Sequence, residues 1–228
     1  MAKTTRLVTE SSLSQKCFKQ LQDDIVYGVL APREKLKIEP LAERLGTGAT
    51  PVREALSGLA VAGLVVAEEN KGFRVAEISQ ADMRDTYEIF TAVECMALEL
   101  SIQRGDANWQ AGVVAELYKI GLLEKEYQPE MYDAWVEQNY NFHVALIAGC
   151  NSPTLLAIRK NLYIKFDRYC RMADSLLDEP VVFNHTEHEA LAAAVLAKDV
   201  HSAKALLVEH NMSSLDDSLA IFKHHNFM

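Results

Sequence analysis

The chain has 228 residues, 49% of them hydrophobic and 24% charged, with a formal net charge of −9. That composition excludes a disordered or fibrous protein, and no apolar run approaches the roughly 20 residues of a membrane span. An acidic total argues against nucleic acid as a partner, but residues 1–78 carry 11 Lys/Arg against 10 Asp/Glu, whereas 79–228 carry 12 against 22. The asymmetry predicts two domains with different work, the first of them nearly neutral and permissive for DNA. The four cysteines, Cys17, Cys95, Cys150 and Cys170, form no Cys-x-x-Cys pair and read as reduced, mostly buried thiols. The opening MAKTTRLVTE has no apolar h-region, which predicts a cytoplasmic chain.

In the first part, Cys17, Phe18, Leu21 and Ile25 recur at helical spacing within 13–28. Pro32 then breaks the pattern in LAPREKLK. IEPLAERLG predicts a second, short helix stopped by Gly46. Thr50 is expected to cap a third helix with Pro51 in its first turn, Val52, Ala55, Leu56 and Leu59 on one face, and Gly63 at its end. LVVA, ENKG and FRVA follow as two short strands around a turn in which Gly72 takes positive φ.

Three helices followed by a two-stranded wing make a winged helix-turn-helix over 1–78, with the helix-turn-helix at about 38–57 and the wing at about 64–76. The stretch GTGATPVREAL lets the third helix project its first turn toward a major groove. The expected DNA contacts are Thr47, Thr50, Pro51 and Arg53 at that turn, and Lys71, Gly72 and Arg74 at the wing. Free N–H groups at a helix start suit a phosphate, and an arginine pairs with a guanine edge or a phosphate.

From Ser79, a plausible N-cap, the remainder reads as helix, with Tyr87, Phe90, Val93 and Ala97 in one stripe. Further helices are predicted over about 108–127, 129–148, 153–177, 180–197 and 199–222. Six helices on short links imply an antiparallel, all-helical bundle over 79–228. His143, His188 and His210 each sit among apolar residues on a different helix, and Asn139 projects beside His143 one turn earlier. Neutral imidazoles converging in one bundle invite a divalent metal ion such as zinc or nickel.

The series LAERLG, TPVREAL, GLV and KGFRV resembles the DNA-binding domain of the GntR family of bacterial transcription regulators. Behind it, FHVAL, EHEAL and a late EH resemble the FCD effector domain of the FadR-like subfamily, with patterns closest to its CsiR branch. The resemblance implies a divalent metal held by Asn139, His143, His188 and His210, although an aspartate is commoner at the first position. It also implies an organic-acid effector, with a short dicarboxylate such as glutarate as the first guess. The family's usual Ser-Arg before Thr-Pro is replaced by Gly48 and Ala49, which removes one implied DNA contact. An arginine that many relatives place on the first bundle helix is replaced by Phe90, leaving Arg168 and Arg171 as candidate effector anchors.

The reading that follows is a homodimeric repressor on a pseudo-palindromic operator, with no membrane partner. A bundle metalloenzyme and a ligand-free dimeric DNA-binding protein are the alternatives. Against the enzyme stands the lack of His-Glu-x-x-His, Glu-x-x-His, Gly-x-Ser-x-Gly or Walker patterns.

Overall fold

The computed structural model describes residues 12–69, 71–177 and 185–227. Its chain divides into two compact units between Glu77 and Ile78. Among the described residues, no helix is long and apolar enough to cross a membrane.

In the first unit, α1 (Leu13–Val26) begins in a capping box formed by Ser12 and Gln15. Its apolar face packs on α3 (Ala49–Val61), and Leu21, Val52, Leu56 and Leu59 are fully buried there. Gly58 brings the two helices close, since a Cβ at that position would stand 3.1 Å from the Phe18 ring. Between them lies α2 (Ile38–Arg44), ended by Leu45 and by Gly46 at φ +61°.

Two expectations change here. Gly48, not Thr50, is the N-cap of α3, and no side chain caps that end. Helical backbone starts at Ala49, so Thr50 and Pro51 already lie within the first turn. The wing is also three-stranded. Strands β2 (Val65–Glu68) and β3 (Gly72–Val75) pair antiparallel as a hairpin, and β1 (Lys35–Leu36) adds to the far edge of β3 in the order β1-β3-β2. Lys35 faces Arg74 and Leu36 faces Phe73. Two residues are too few to show alternation in sequence, and only the pairing with β3 makes them a strand.

The second unit contains α4 (Gln80–Arg104), α5 (Ala107–Lys125), α6 (Tyr132–Ile147), α7 (Pro153–Asp174), α8 (His185–Leu196) and α9 (Val200–His224). Ser79, Asp106, Ser152 and Asp199 accept backbone N–H groups at the starts of α4, α5, α7 and α9. Each such cap stabilises its helix by about 1 kcal/mol. The expected start of a helix at Pro129 is a separate 3₁₀ turn, Pro129–Met131, before α6. The expected start of α8 at Pro180 lies outside the described residues.

Two apolar clusters hold this unit together. One gathers Leu98, Val113, Phe142, Leu146, Leu191, Val195 and Leu207; the other gathers Met83, Tyr87, Tyr169, Met172, Leu215 and Phe222. A third layer, lined from α4, α6, α7 and α9, is not filled with apolar side chains. It is a cavity of about 210 Å³.

Candidate DNA-reading face and metal centre

The α3 sequence divides cleanly into a buried face and an open one. Val52, Ala55, Leu56 and Leu59 are buried, while Ala49, Thr50, Arg53, Glu54 and Ser57 are exposed. With no capping side chain at Gly48, the first N–H groups of α3 are left for an outside acceptor. Thr47 is half-buried; its N–H donates to the Ala42 carbonyl at 2.9 Å, so it belongs to the turn itself. Lys71 and Gly72 are exposed at the wing, with Gly72 at φ +86°. Arg74 is differently placed. Its guanidinium donates to Glu68 at 3.0 Å and to the Arg33 carbonyl at 3.2 Å, which holds it on the sheet with its charge already paired.

In the second unit, three helices each deliver one histidine to the same point. His143 on α6, His188 on α8 and His210 on α9 have ligand-type nitrogens all within 4.8 Å of one another. Their ring centroids are 5.1 to 5.5 Å apart, and all three are buried. Burial above all, then the adjacent rings of His210 and His188, holds His143 well below the ordinary imidazole range. Burial, followed by His210 and His185, presses His188 down to about 3. Both rings are therefore neutral at physiological pH, with lone pairs available for coordination.

The hydrogen-bond accounting says what is missing. Neither nitrogen of His188 has a hydrogen-bond partner among the described residues, nor does the buried Oδ1 of Asn139. Leaving such groups unsatisfied costs about 1–3 kcal/mol each. A divalent cation would satisfy one nitrogen of His188 and the Asn139 oxygen, so the donor set of three imidazoles and one amide oxygen fits the ion the sequence implied. His210 has its other nitrogen occupied: Nδ1 lies 2.7 Å from Oε2 of Glu187, beside His188 in sequence. His185 does not join the cluster; its nitrogens face Glu124 at 2.9 Å and Glu189 at 3.5 Å.

The cavity opens beside these histidines, with Asn139, His143, His210 and Glu187 in its wall. Its wall also holds Arg159, which sequence reading passed over. Nε and Nη2 of Arg159 donate to Oε1 of Glu94 at 2.9 and 2.7 Å, deep in the unit. The guanidinium carbon stands 5.2, 5.1 and 4.8 Å from the ring centroids of Phe90, Tyr140 and Tyr163. Nη1 is buried without a partner among the described residues. Phe90, where the resemblance implied an arginine, thus forms part of the aromatic seat for an arginine arriving from α7.

Of the two arginines proposed as effector anchors, only Arg171 lines the cavity, where it is ion-paired with Asp167 and Asp133 at 3.3 Å. Arg168 is a correction. It is 1% exposed and absent from the cavity wall. Arg159, Tyr163, Phe166, Cys170 and Asp174 define the cavity side of α7. Nine residues beyond Arg159, at about 100° per residue, Arg168 points the opposite way. The signal for Arg159 was available in that same spacing, since it heads an aromatic i, i+4, i+7 row. The signal for Glu94 was a lone carboxylate on the otherwise apolar stripe of α4.

Comparison with known proteins agrees with this division. Residues 13–75 match the bacterial regulatory proteins of the gntR family, and residues 85–212 match the FCD domain. The chain is 36% identical over 207 residues to the HTH-type transcriptional regulator BphR of Paraburkholderia xenovorans, covering 90% of this chain and 84% of that one. It is 34% identical over 202 residues to the HTH-type transcriptional repressor GlaR of Escherichia coli, covering 87% and 92%. The solved structure of E. coli McbR/YncC shares the fold, with a TM-score of 0.72 over 90% of this chain and 98% of that one at 23% identity.

Proposed function

This chain belongs to the GntR family of bacterial regulatory proteins and carries an FCD domain; it is a DNA-binding transcriptional regulator, not an enzyme, and from that premise we propose that it is a dimeric repressor released by a small carboxylate. One observation carries the effector half of this reading. Arg159, whose buried Nη1 has no partner among the described residues, lines the same cavity as Asn139, His143 and His210. A carboxylate entering there meets a fixed guanidinium on one side and the histidine cluster on the other.

When bound, the metal ion supplies a Lewis-acidic position for one carboxylate oxygen. The chain's own residues do the rest. Asn139, His143, His188 and His210 would hold the ion, and Glu187, against Nδ1 of His210, would orient that ring for it. Glu94 and the three aromatic rings keep Arg159 extended, so that little ordering remains to be done when the ligand arrives.

Arg53 and Lys71 are the proposed DNA contacts, together with the open first turn of α3. A domain of balance +1 binds weakly alone. Two copies on one pseudo-palindrome raise the effective concentration of the second contact, multiplying affinity by about 10²–10⁴. A tenfold change in operator affinity requires only about 1.4 kcal/mol of coupling to the cavity. The name of the E. coli relative, a transcriptional repressor, supports the sign. The test is selection of bound duplexes from a random-sequence pool with and without carboxylates. Enrichment of a two-fold symmetric sequence, lost with an acid that binds, is expected; no enrichment in either condition refutes the proposal.

A further inference from the structure

The cavity has two chemically different ends. Near Asn139, His143 and Arg159 it suits an anion, as proposed above. Its opposite end is lined by Tyr127, Tyr132, Trp135 and Asp174. Asp174 Oδ2 accepts a hydrogen bond from the Tyr132 hydroxyl at 2.5 Å, which is a neutral donor. Among the described residues no lysine or arginine lies within ion-pair distance of Asp174, and the nearby Arg171 is committed to Asp167 and Asp133. Burial raises the Asp174 carboxyl above its ordinary range, outweighing the Tyr132 hydrogen bond and the nearby positive charge of Arg171. A half-buried carboxylate beside phenol rings is the chemistry that recognises an ammonium group. A second carboxylate placed there would instead face Asp174.

We propose that this end is a cation subsite, and that the effector is an ω-amino carboxylate lying along the cavity with its carboxylate at Arg159 and its ammonium between Asp174 and the rings of Tyr127, Tyr132 and Trp135. The inference rests on the carboxylate reading above for the first of these contacts only. Its span follows from α7. Arg159 and Asp174 are fifteen residues apart on that helix, about 22 Å at 1.5 Å per residue. The Arg159 guanidinium already reaches along the helix to the Tyr163 ring, and an extended chain of about six carbons, with a hydrogen bond at each end, covers most of the rest.

The experiment uses the full chain and four acids of equal chain length: ε-aminocaproate, ε-hydroxycaproate, caproate and adipate, with hexylammonium as a carboxylate-free probe. Calorimetry reads affinity, and the fluorescence of Trp135, in the wall of this end, reads local occupancy. ε-Aminocaproate binding more tightly than caproate and adipate by about tenfold, the scale of a charge-assisted hydrogen bond, is the expected result. Asp174→Asn, which keeps an acceptor for Tyr132, removes that preference. Adipate binding as tightly as ε-aminocaproate, or a preference unchanged in Asp174→Asn, overturns the proposal. The two readings fail separately. Acids that bind through Arg159 with no preference for the amine defeat the cation subsite alone. Hexylammonium binding that depends on Asp174, with no acid sensitive to Arg159→Gln, supports the cation subsite and defeats the carboxylate anchor.

Discussion

Glu187 and His210 meet at 2.7 Å through Oε2 and Nδ1, across the contact between α8 and α9. A carboxylate oxygen accepts, so this contact places a proton on Nδ1. Because Glu187 directly precedes His188, one turn of α8 both presents one imidazole and orients another. Replacing Glu187 with glutamine removes the charge that selects the tautomer. Metal affinity is expected to fall by about 10–100-fold, measured by competition with a chromogenic chelator, while far-ultraviolet circular dichroism stays unchanged. Undiminished affinity would mean that His210 is not oriented this way.

DNA binding divides the basic residues of the first unit. Arg53→Ala is expected to weaken binding to a selected operator and to relax preference at one base position by about 1–3 kcal/mol. Lys71→Ala is expected to weaken all duplexes alike and to lower the salt slope by about 1. Arg74→Ala is expected to act differently, since Arg74 is already held by Glu68. Its effect should appear in thermal stability rather than in the salt slope of a mobility-shift titration. Ala49→Arg, at the first exposed position of α3, is expected to strengthen binding and add about one unit of salt slope.

Arg159 is expected to be the anchor that a carboxylate cannot lose. Arg159→Lys keeps the charge but not the planar fork that grips Glu94 while leaving Nη1 free. Carboxylate affinity by calorimetry should fall by at least about tenfold, with the metal content of the protein unchanged. Arg159→Ala carries a separate cost, because Glu94 is left buried without its partner, and about 3–5 kcal/mol of stability is expected to go with it. Arg168→Lys, on the opposite face of α7, should leave carboxylate binding as it is.

Asp174 predicts a pH-dependent exchange between stability and recognition. Burial raises its folded-state pKa above the unfolded value. A carboxyl raised in this way favours the folded state only below its unfolded pKa, and that advantage is lost as pH rises through the folded pKa. At neutral pH the charged group is a net burden. Asp174→Asn is therefore expected to raise the melting temperature at pH 7 without ligand, with the gain shrinking toward the acid end of the carboxylate range. A melting temperature lowered at pH 7 would contradict this sign.

The Cys170 thiol lines the cavity, hydrogen-bonded with the Tyr87 hydroxyl at 3.1 Å, and burial pushes it up to about 12. Its alkylation by iodoacetamide at pH 8 is expected to be slower than that of a free thiol by orders of magnitude and to accelerate in denaturant. Rapid native-state labelling of Cys170, located by mass spectrometry, would show that the cavity is wetter than its geometry implies.

The sequence by itself determined the order of elements, the stop at Gly46, the hairpin turn at Gly72 and the six helices behind Ser79, because periodicity, caps and positive-φ glycines are local properties. It also picked out His143, His188 and His210, since a histidine on an apolar stripe is visible within one helix. Other features became visible only when separate segments met. Strand β1 exists through pairing with β3, Arg74 is withdrawn by Glu68, and Arg159 is aimed by Glu94 sixty-five residues away. Which arginine faces the cavity depended on the phase of α7 against its neighbours. Helix spacing says that Arg159 and Arg168 lie on opposite sides, but only packing against α4, α6 and α9 says which side is inside.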